Sequence, residues 1–544
     1  MHHNCLLRDT CEKGRHIVPK FRFDLSSMHQ ASPTLHLHSI NAKTIEIGHR
    51  PRQNLKEWER EITKRFKERR QELEEKNRKV IGLIKRRVFS GTLLLTFSFS
   101  VGCAHYPVNQ PIKEVRLDVG YRAGLMKTPE KSDGLLLYLT FSGGGMRAAA
   151  LSYGVLEELR KTEIVLDGRK RRLLDEVDGI SSVSGGSFTA GYYGLFGDRI
   201  FEDFENKFLK KNVQRGLILR ALLNVANWVR FFSPAFSRSD LAAEYYDKHI
   251  FEGGTFGDMA ARKGPFIIIN ATEMTHGTRV GFTQEAFDVI CSDLSPFSVA
   301  RAAAASSAVP MALTPITVRN YAGTCGFKTP EGFEKVLEDR EVLEQQFHLL
   351  NDITPFLDPE RKPYIHLVDG GLGDNLGLRA VLDRVMIRGS VWEAIRGTPM
   401  EKVRKVVFIV VNAETEPDTK WDKRENNPSF GVMLASYSSI AIDRYNKETI
   451  ALLKKSVRSW ANEIKTQRCK GGAVSTSPGS CGDIQFYVIE AKFDALKDET
   501  ERMHFKRLPT ALKLSPEEVD KTRDAAHRIL SESKEFQRLL LDLK

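Results

Sequence analysis

Cysteine is scarce in this chain, seven among 544 residues, and no two are spaced C-x-x-C, so the usual signature of a zinc site is missing. No clustering of metal-ligating side chains stands out either, and no metal or cofactor is expected. A spanning helix needs about 20 consecutive apolar residues. The longest such run, Val88 to Gly102, is about fifteen. No internal repeat is visible, which sets aside solenoids and arrays. An excess of one charge is also missing where it would matter. Of the net +12, +10 sits in residues 1–90, which hold 21 Lys+Arg against 11 Asp+Glu, while the rest holds 61 against 59. A nearly neutral body gives no reason to expect a nucleic-acid partner.

What is present is organised around Leu135 to Leu159, LLLYLTFSGGGMRAAALSYGVLEEL. Leu135 to Phe141 predicts a buried strand, Gly143-Gly144-Gly145 a tight turn, and the Ala/Leu/Glu-rich run from Arg147 a helix. Glycines let backbone N–H groups approach a ligand closely, and a helix N-terminus favours negative charge. The turn matches neither G-x-G-x-x-G nor a Walker loop. An oxyanion hole or a plain strand-to-helix turn remain.

Val177 to Gly191, VDGISSVSGGSFTAG, places Ser184 between a β-branched run and two glycines that open another helix. Ser182-Val183-Ser184-Gly185-Gly186 is a variant of the G-x-S-x-G nucleophile elbow, whose strained turn tolerates only small flanking residues. Acyl transfer needs a nucleophile and donors for the developing oxyanion, so the two motifs strengthen each other. Tyr364 to Gly377, YIHLVDGGLGDNLG, supplies a carboxylate at a strand end, Asp369, released by glycines. There it can reach a hydroxyl presented by a neighbouring strand of a parallel sheet. A plain Asp-Gly turn is the blander reading. Asp374 is the second carboxylate of this stretch.

These stretches, with Ala300-Arg301-Ala302 through Ala308-Val309-Pro310 between them, resemble the four ordered motifs of patatin-like phospholipases from about Leu135 to Ala413. The resemblance implies an α/β, patatin-like three-layer fold with a central mostly parallel sheet. It implies a Ser-Asp dyad in which no histidine takes part and which needs no metal. Ser184 would be the nucleophile, Asp369 the base, and the N–H groups of Gly143, Gly144 and Gly145 the oxyanion donors. Arg147 would brace the glycine turn or attract a lipid phosphate. Ser182 departs from the family's usual glycine. An ordinary aspartate, with a pKa near 4, is a weak base, so the site is expected to raise Asp369 by burial and to lose activity in acid.

Around this core, residues 1–79 read as a disordered or charged-helical extension, with a basic arm as the functional alternative and a mis-assigned start as a third reading. Lys85-Arg86-Arg87, the apolar run and Cys103 have the layout of a secretory signal over 80–103. Ser100-Val101-Gly102-Cys103 resembles a bacterial lipobox, which would make Cys103 the lipidated first residue of an exported, membrane-anchored lipoprotein of the bacterial envelope, at the outer membrane. A signal-anchor or a buried helix are the alternatives. Residues 104–133 read as a tether, 134–429 as the catalytic domain, and 430–544 as a helical C-terminal extension packed on it. Of the four cysteines past Cys103, Cys469 and Cys481 are the expected pair, closing a Gly/Ser-rich loop. Val213 to Phe236 is strongly apolar and is expected to be a core or cap helix, with an interfacial helix as the alternative.

The expected partners are a phospholipid or other ester lipid and a membrane surface. Two rivals stand beside the lipid acyl hydrolase. One is a Ser-His-Asp enzyme using His366, His504 or His527. The other is a membrane-anchored lipid-binding or scaffolding protein with little turnover.

Overall fold

The structure, a computed structural model, describes residues 60–61, 63–65, 67–79, 81–82, 109–126, 131–166, 168–310, 312–330, 332–339, 344–416, 421–470 and 484–543. The chain forms two compact units, 1–90 and 91–544. In the first, residues 63–65 and 67–79 are helical and fully exposed. Ion pairs one turn apart line this helix, including Arg70–Glu74 and Lys76–Glu72. Each such exposed pair contributes only about 0.3–0.5 kcal/mol. The signal-like segment, its Cys103 and Cys481 lie outside the described residues.

The second unit is built on an eight-stranded sheet. Its strands are β1 (Leu135–Phe141), β2 (Val177–Val183), β3 (Phe266–Glu273), β4 (Arg279–Gly281), β5 (Ile316–Arg319), β6 (Tyr364–Val368), β7 (Lys405–Asn412) and β8 (Gln485–Lys492). The order across the sheet is β8-β7-β1-β2-β3-β6-β5, with β4 paired to β3. Pairings from β8 to β3 are parallel and those of β4, β5 and β6 antiparallel. The sheet is therefore mostly parallel, and its central strands are near-continuous apolar runs because helices cover both faces.

On one face pack α1 (Gly145–Lys161), α2 (Gly185–Phe196), α5 (Val299–Ser306) and α9 (Pro516–Ser531), with α3 (Val213–Leu223) and α4 (Val225–Phe231) beyond them. On the other lie α6 (Arg379–Ile387), α7 (Val391–Ile395) and the 41-residue α8 (Phe430–Lys470). Alternate residues of β1 divide between the two, Leu137, Leu139 and Phe141 to the first and Leu136 and Tyr138 to the second. The three-layer α/β expectation holds.

Three boundaries differ from the sequence reading. The expected tether is stitched into the domain over 109–126. Gln110–Pro111 pairs with Ser292–Asp293, Tyr121 is fully buried with its hydroxyl accepting from the Ile267 N–H at 2.7 Å, and Arg122 pairs with Asp288. The C-terminal extension is not only helical, because Gln485–Lys492 forms the edge strand β8, parallel to β7. Burial alternates along QFYVIEAK, the period of a strand, although the residues themselves include the continuous apolar run Phe486 to Ile489. Last, Val213 to Phe236 is a pair of short helices broken at Asn224, not a core helix. Leu222, Leu223, Val225, Trp228 and Phe232 are more than half exposed.

Cys291 and Cys325 form a disulfide, with Cα atoms 5.5 Å apart. That is the complement of the expected Cys469–Cys481 pair. Among the described residues no helix is long and apolar enough to cross a membrane, and no group of three metal-ligating side chains occurs.

Candidate active site

The sheet register brings the three motifs together. Val183 pairs with Asn270 and Val368 with Thr272, so Ser184 and Asp369 leave the sheet on either side of β3 at the same level. Sequence reasoning placed the carboxylate on a parallel neighbour. Instead β6 runs antiparallel, with β3 between it and β2.

Ser184 occupies a strained left-handed backbone conformation, φ 48° and ψ −118°, at the N-terminus of α2. Its hydroxyl donates to Asp369 Oδ2 at 3.0 Å. The turn closes because Gly185 has no side chain: a Cβ there would lie 2.0 Å from the Gly145 carbonyl oxygen. Ser182 is accommodated without distortion, donating to the Ile268 carbonyl at 3.1 Å, so its departure from glycine does not disturb the elbow.

Asp369 is buried, and its other oxygen accepts from the Gly371 N–H at 2.8 Å. Burial pushes its pKa up to about 6, against the opposing pull of the two hydrogen bonds. Asp374 is also raised to about 6, chiefly by burial. It accepts from the Arg379 N–H and does not line the cavity at Ser184.

The glycine turn follows β1. Gly145 has φ +61°, and a Cβ would meet the Ala511 carbonyl oxygen at 2.6 Å, so only glycine fits. Of the three amides expected to serve as donors, that of Gly143 is committed, bonding to the Asn375 carbonyl at 3.0 Å. Those of Gly144 and Gly145 meet no acceptor among the described residues. Arg147 is fully buried, and all three guanidinium nitrogens donate to protein oxygens: Ala413 O, Leu508 O and Thr510 Oγ1. It ties Ala413 and the Leu508–Thr510 segment to the first turn of α1, and burial lowers its pKa to about 10. A lipid phosphate would have to displace those partners.

Sequence reasoning missed two groups. Ser306 on α5 binds both halves of the pair: its hydroxyl accepts from the Ser184 N–H at 2.8 Å, and its carbonyl accepts from the Gly370 N–H at 3.0 Å. It lies inside the Ala300 to Pro310 stretch, but a serine in an alanine-rich helix gives no local signal. The Asn375 carbonyl is the other, visible only once the chain has folded back to the glycine turn.

Ser184, Asp369, Gly143, Gly144 and Arg147 line one cavity of about 410 Å³, together with Val309, Leu372, Glu414 and Asp443. No histidine lines it among the described residues. His366 contacts Thr317, His504 contacts Glu518, and His527 contacts Glu157 and Glu158. A catalytic histidine therefore finds no support.

Residues 139–382, a little under half of the chain, match the family model described as Patatin-like phospholipase. The mixed α/β architecture with its mostly parallel sheet agrees with that fold. Among solved structures, human GIVD cytosolic phospholipase A2 is similar at 12% identity, over 77% of this chain and 64% of that one, with a TM-score of 0.38. The same enzyme in complex with methyl gamma-linolenyl fluorophosphonate inhibitor and terbium chloride gives 11%, 77%, 60% and 0.32. This chain thus spans less than two thirds of the length of those structures. The comparison with curated proteins gives no match.

Proposed function

We propose that this protein is a lipid acyl hydrolase that cleaves carboxylic esters of phospholipids or related lipids through a Ser184–Asp369 dyad. The observation that carries the reading is the 3.0 Å hydrogen bond from the strained Ser184 to a buried carboxylate, beside a glycine turn with uncommitted amides. Asp369 takes the Ser184 proton as Oγ attacks the ester carbonyl. The oxyanion forms against the amides of Gly144 and Gly145, each such donor typically contributing about 3 kcal/mol of barrier reduction. Collapse of the tetrahedral intermediate expels the alcohol, which takes the proton from Asp369. Water, deprotonated by the same carboxylate, then releases the acid and restores the Ser184 hydroxyl. No histidine is needed in this cycle, because a carboxylate with a pKa near 6 is a competent base at neutral pH.

The proposed place of action is a membrane surface, reached by an exported chain anchored at Cys103. Two features support it: the exposed apolar side chains of α3 and α4, and the Cys291–Cys325 disulfide, which suits an oxidising compartment.

The test is labelling with a fluorophosphonate probe and hydrolysis of phospholipid vesicles, using the wild type, Ser184→Ala and Asp369→Ala. Labelling at Ser184, with a loss of at least about a thousandfold in hydrolysis for both variants, is the expected result. A folded wild type inert to probe and lipid would replace the enzyme with the lipid-binding alternative.

A further inference from the structure

The sheet face beneath α6, α7 and α8 is incompletely covered. Two apolar cavities of about 260 and 170 Å³ lie against it and share Ala123, Phe266, Ile268, Ala380 and Arg384 as walls. One extends to Val318 on β5 and the other to Phe486 on β8, so together they reach from one edge of the sheet to the other. Seven strands at roughly 4.8 Å spacing make that about 29 Å, whereas one acyl chain accounts for about half of a hydrocarbon core some 30 Å thick. At the middle of the trough β2 adds little bulk, because Gly179 carries no side chain and Tyr138 lies over it.

Charge chooses among apolar occupants. Arg384 lines both cavities at their junction, is exposed, and its guanidinium has no ion pair or hydrogen bond among the described residues. The neighbouring cations have carboxylates to match, since Arg279 and Arg379 share Asp383 and both act on Asp374. An apolar trough with one unneutralised guanidinium at its junction matches a single-chain amphiphile with an anionic head. The guanidinium fork suits a carboxylate in particular. The chain's own apolar run follows Lys85-Arg86-Arg87 and would bring like charge to Arg384.

We propose that this trough is a binding site for a long-chain fatty acid, with Arg384 holding the carboxylate, separate from the cavity at Ser184. It stands whether or not the protein hydrolyses lipids, so the test uses full-length Ser184→Ala protein, which cannot turn substrate over. A diazirine-bearing palmitic acid analogue is photo-crosslinked and the labelled peptides are mapped. Label in residues 379–395 or 266–290 is expected, competed by palmitate but not by cetyl alcohol. Arg384→Glu and Ala380→Phe should each weaken binding at least tenfold, with Arg384→Lys keeping the charge but losing the fork and so falling between Arg384→Glu and the parent. Arg384 is exposed, so its charge reversal leaves the fold intact, which circular dichroism verifies. Label confined to peptides around the Ser184 cavity, equal competition by the alcohol, or unchanged affinity in Arg384→Glu would each overturn the proposal.

Discussion

The two faces of the central sheet are built to different standards. On the face that meets α1, α2, α5 and α9, the side chains of Leu137, Leu139, Phe141, Ile267, Ile269, Val407 and Ile409 are fully buried. Phe188 stacks on Phe208 at 4.5 Å and meets Tyr246 edge-on at 4.9 Å. On the other face, Leu136, Tyr138, Ile268 and Phe486 are only partly buried and border open space. The tight face is the one from which both Ser184 and the glycine turn spring, through the first residues of α2 and α1. A dyad that works only within a few tenths of an ångström needs rigid backing, and close packing supplies it. The looser face has no reacting atoms to hold in place.

The largest effect should come from emptying each face in turn. Phe188→Ala should cost about 3–5 kcal/mol in chemical denaturation, as for other fully buried aromatics. Phe486→Ala, at a partly exposed position beside an open cavity, should cost less than about 1.5 kcal/mol. Equal costs would erase the distinction. Overfilling gives the next contrast: Ala190→Leu on α2 should destabilise by about 1–3 kcal/mol. Ala380→Leu, which points into the trough, should be neutral or slightly stabilising, read by the same denaturation curves.

A subtler consequence of tight packing is the raised pKa of Asp369. Its folded value, about 6, lies above the ordinary 3.8, so the protonated form is the one the fold favours. The stability it contributes is complete below about pH 4 and is lost as pH rises through 6. Activity runs the opposite way, rising through pH 6 as the base ionises. Asp369→Asn should therefore melt higher than the wild type at pH 8, with the gap closing by pH 4, while hydrolysis stays absent throughout. The smallest effect on stability belongs to a surface outside either face. Replacing the exposed Trp228 and Phe232 by Ser should change stability by less than about 0.5 kcal/mol. Hydrolysis of vesicles should fall and that of a soluble short-chain ester should not.

The candidate site was legible in the sequence where it is local. A strained serine needs glycines beside it, and a turn offering amides needs glycines within it, so Ser184, Gly144, Gly145 and Asp369 announce themselves by their neighbours. What depends on distant chain was not legible. The Gly143 amide loses its role to a carbonyl more than 200 residues away, and Ser306 acts through contacts across the sheet. The strand β8 hid between helices because a short continuous apolar run, Phe486 to Ile489, cannot be told from a helical segment by periodicity. The exposed α3–α4 pair was misjudged for a different reason. Apolar composition tells how much a segment gains from leaving water, but not whether the rest of the fold comes to cover it.

The position of β8 and α9 near the end of the chain bears on how this protein is made. Gly154 of α1 lies so close to α9 that a Cβ would come within 2.7 Å of Ala526, and Met146 at the start of α1 donates to the Ala511 carbonyl at 2.8 Å. A ribosome that has delivered every strand through β7 has still not supplied the partners that cover α1 and hold the glycine turn. Contacts spanning more than 350 residues form late, because the intervening chain must be closed first. The growing polypeptide therefore carries Ser184 and Asp369 for well over a hundred residues of synthesis before α1 is seated. During that interval its apolar flank invites aggregation or a chaperone, and assembly of the site waits on the segment from Ala511 to Ala526.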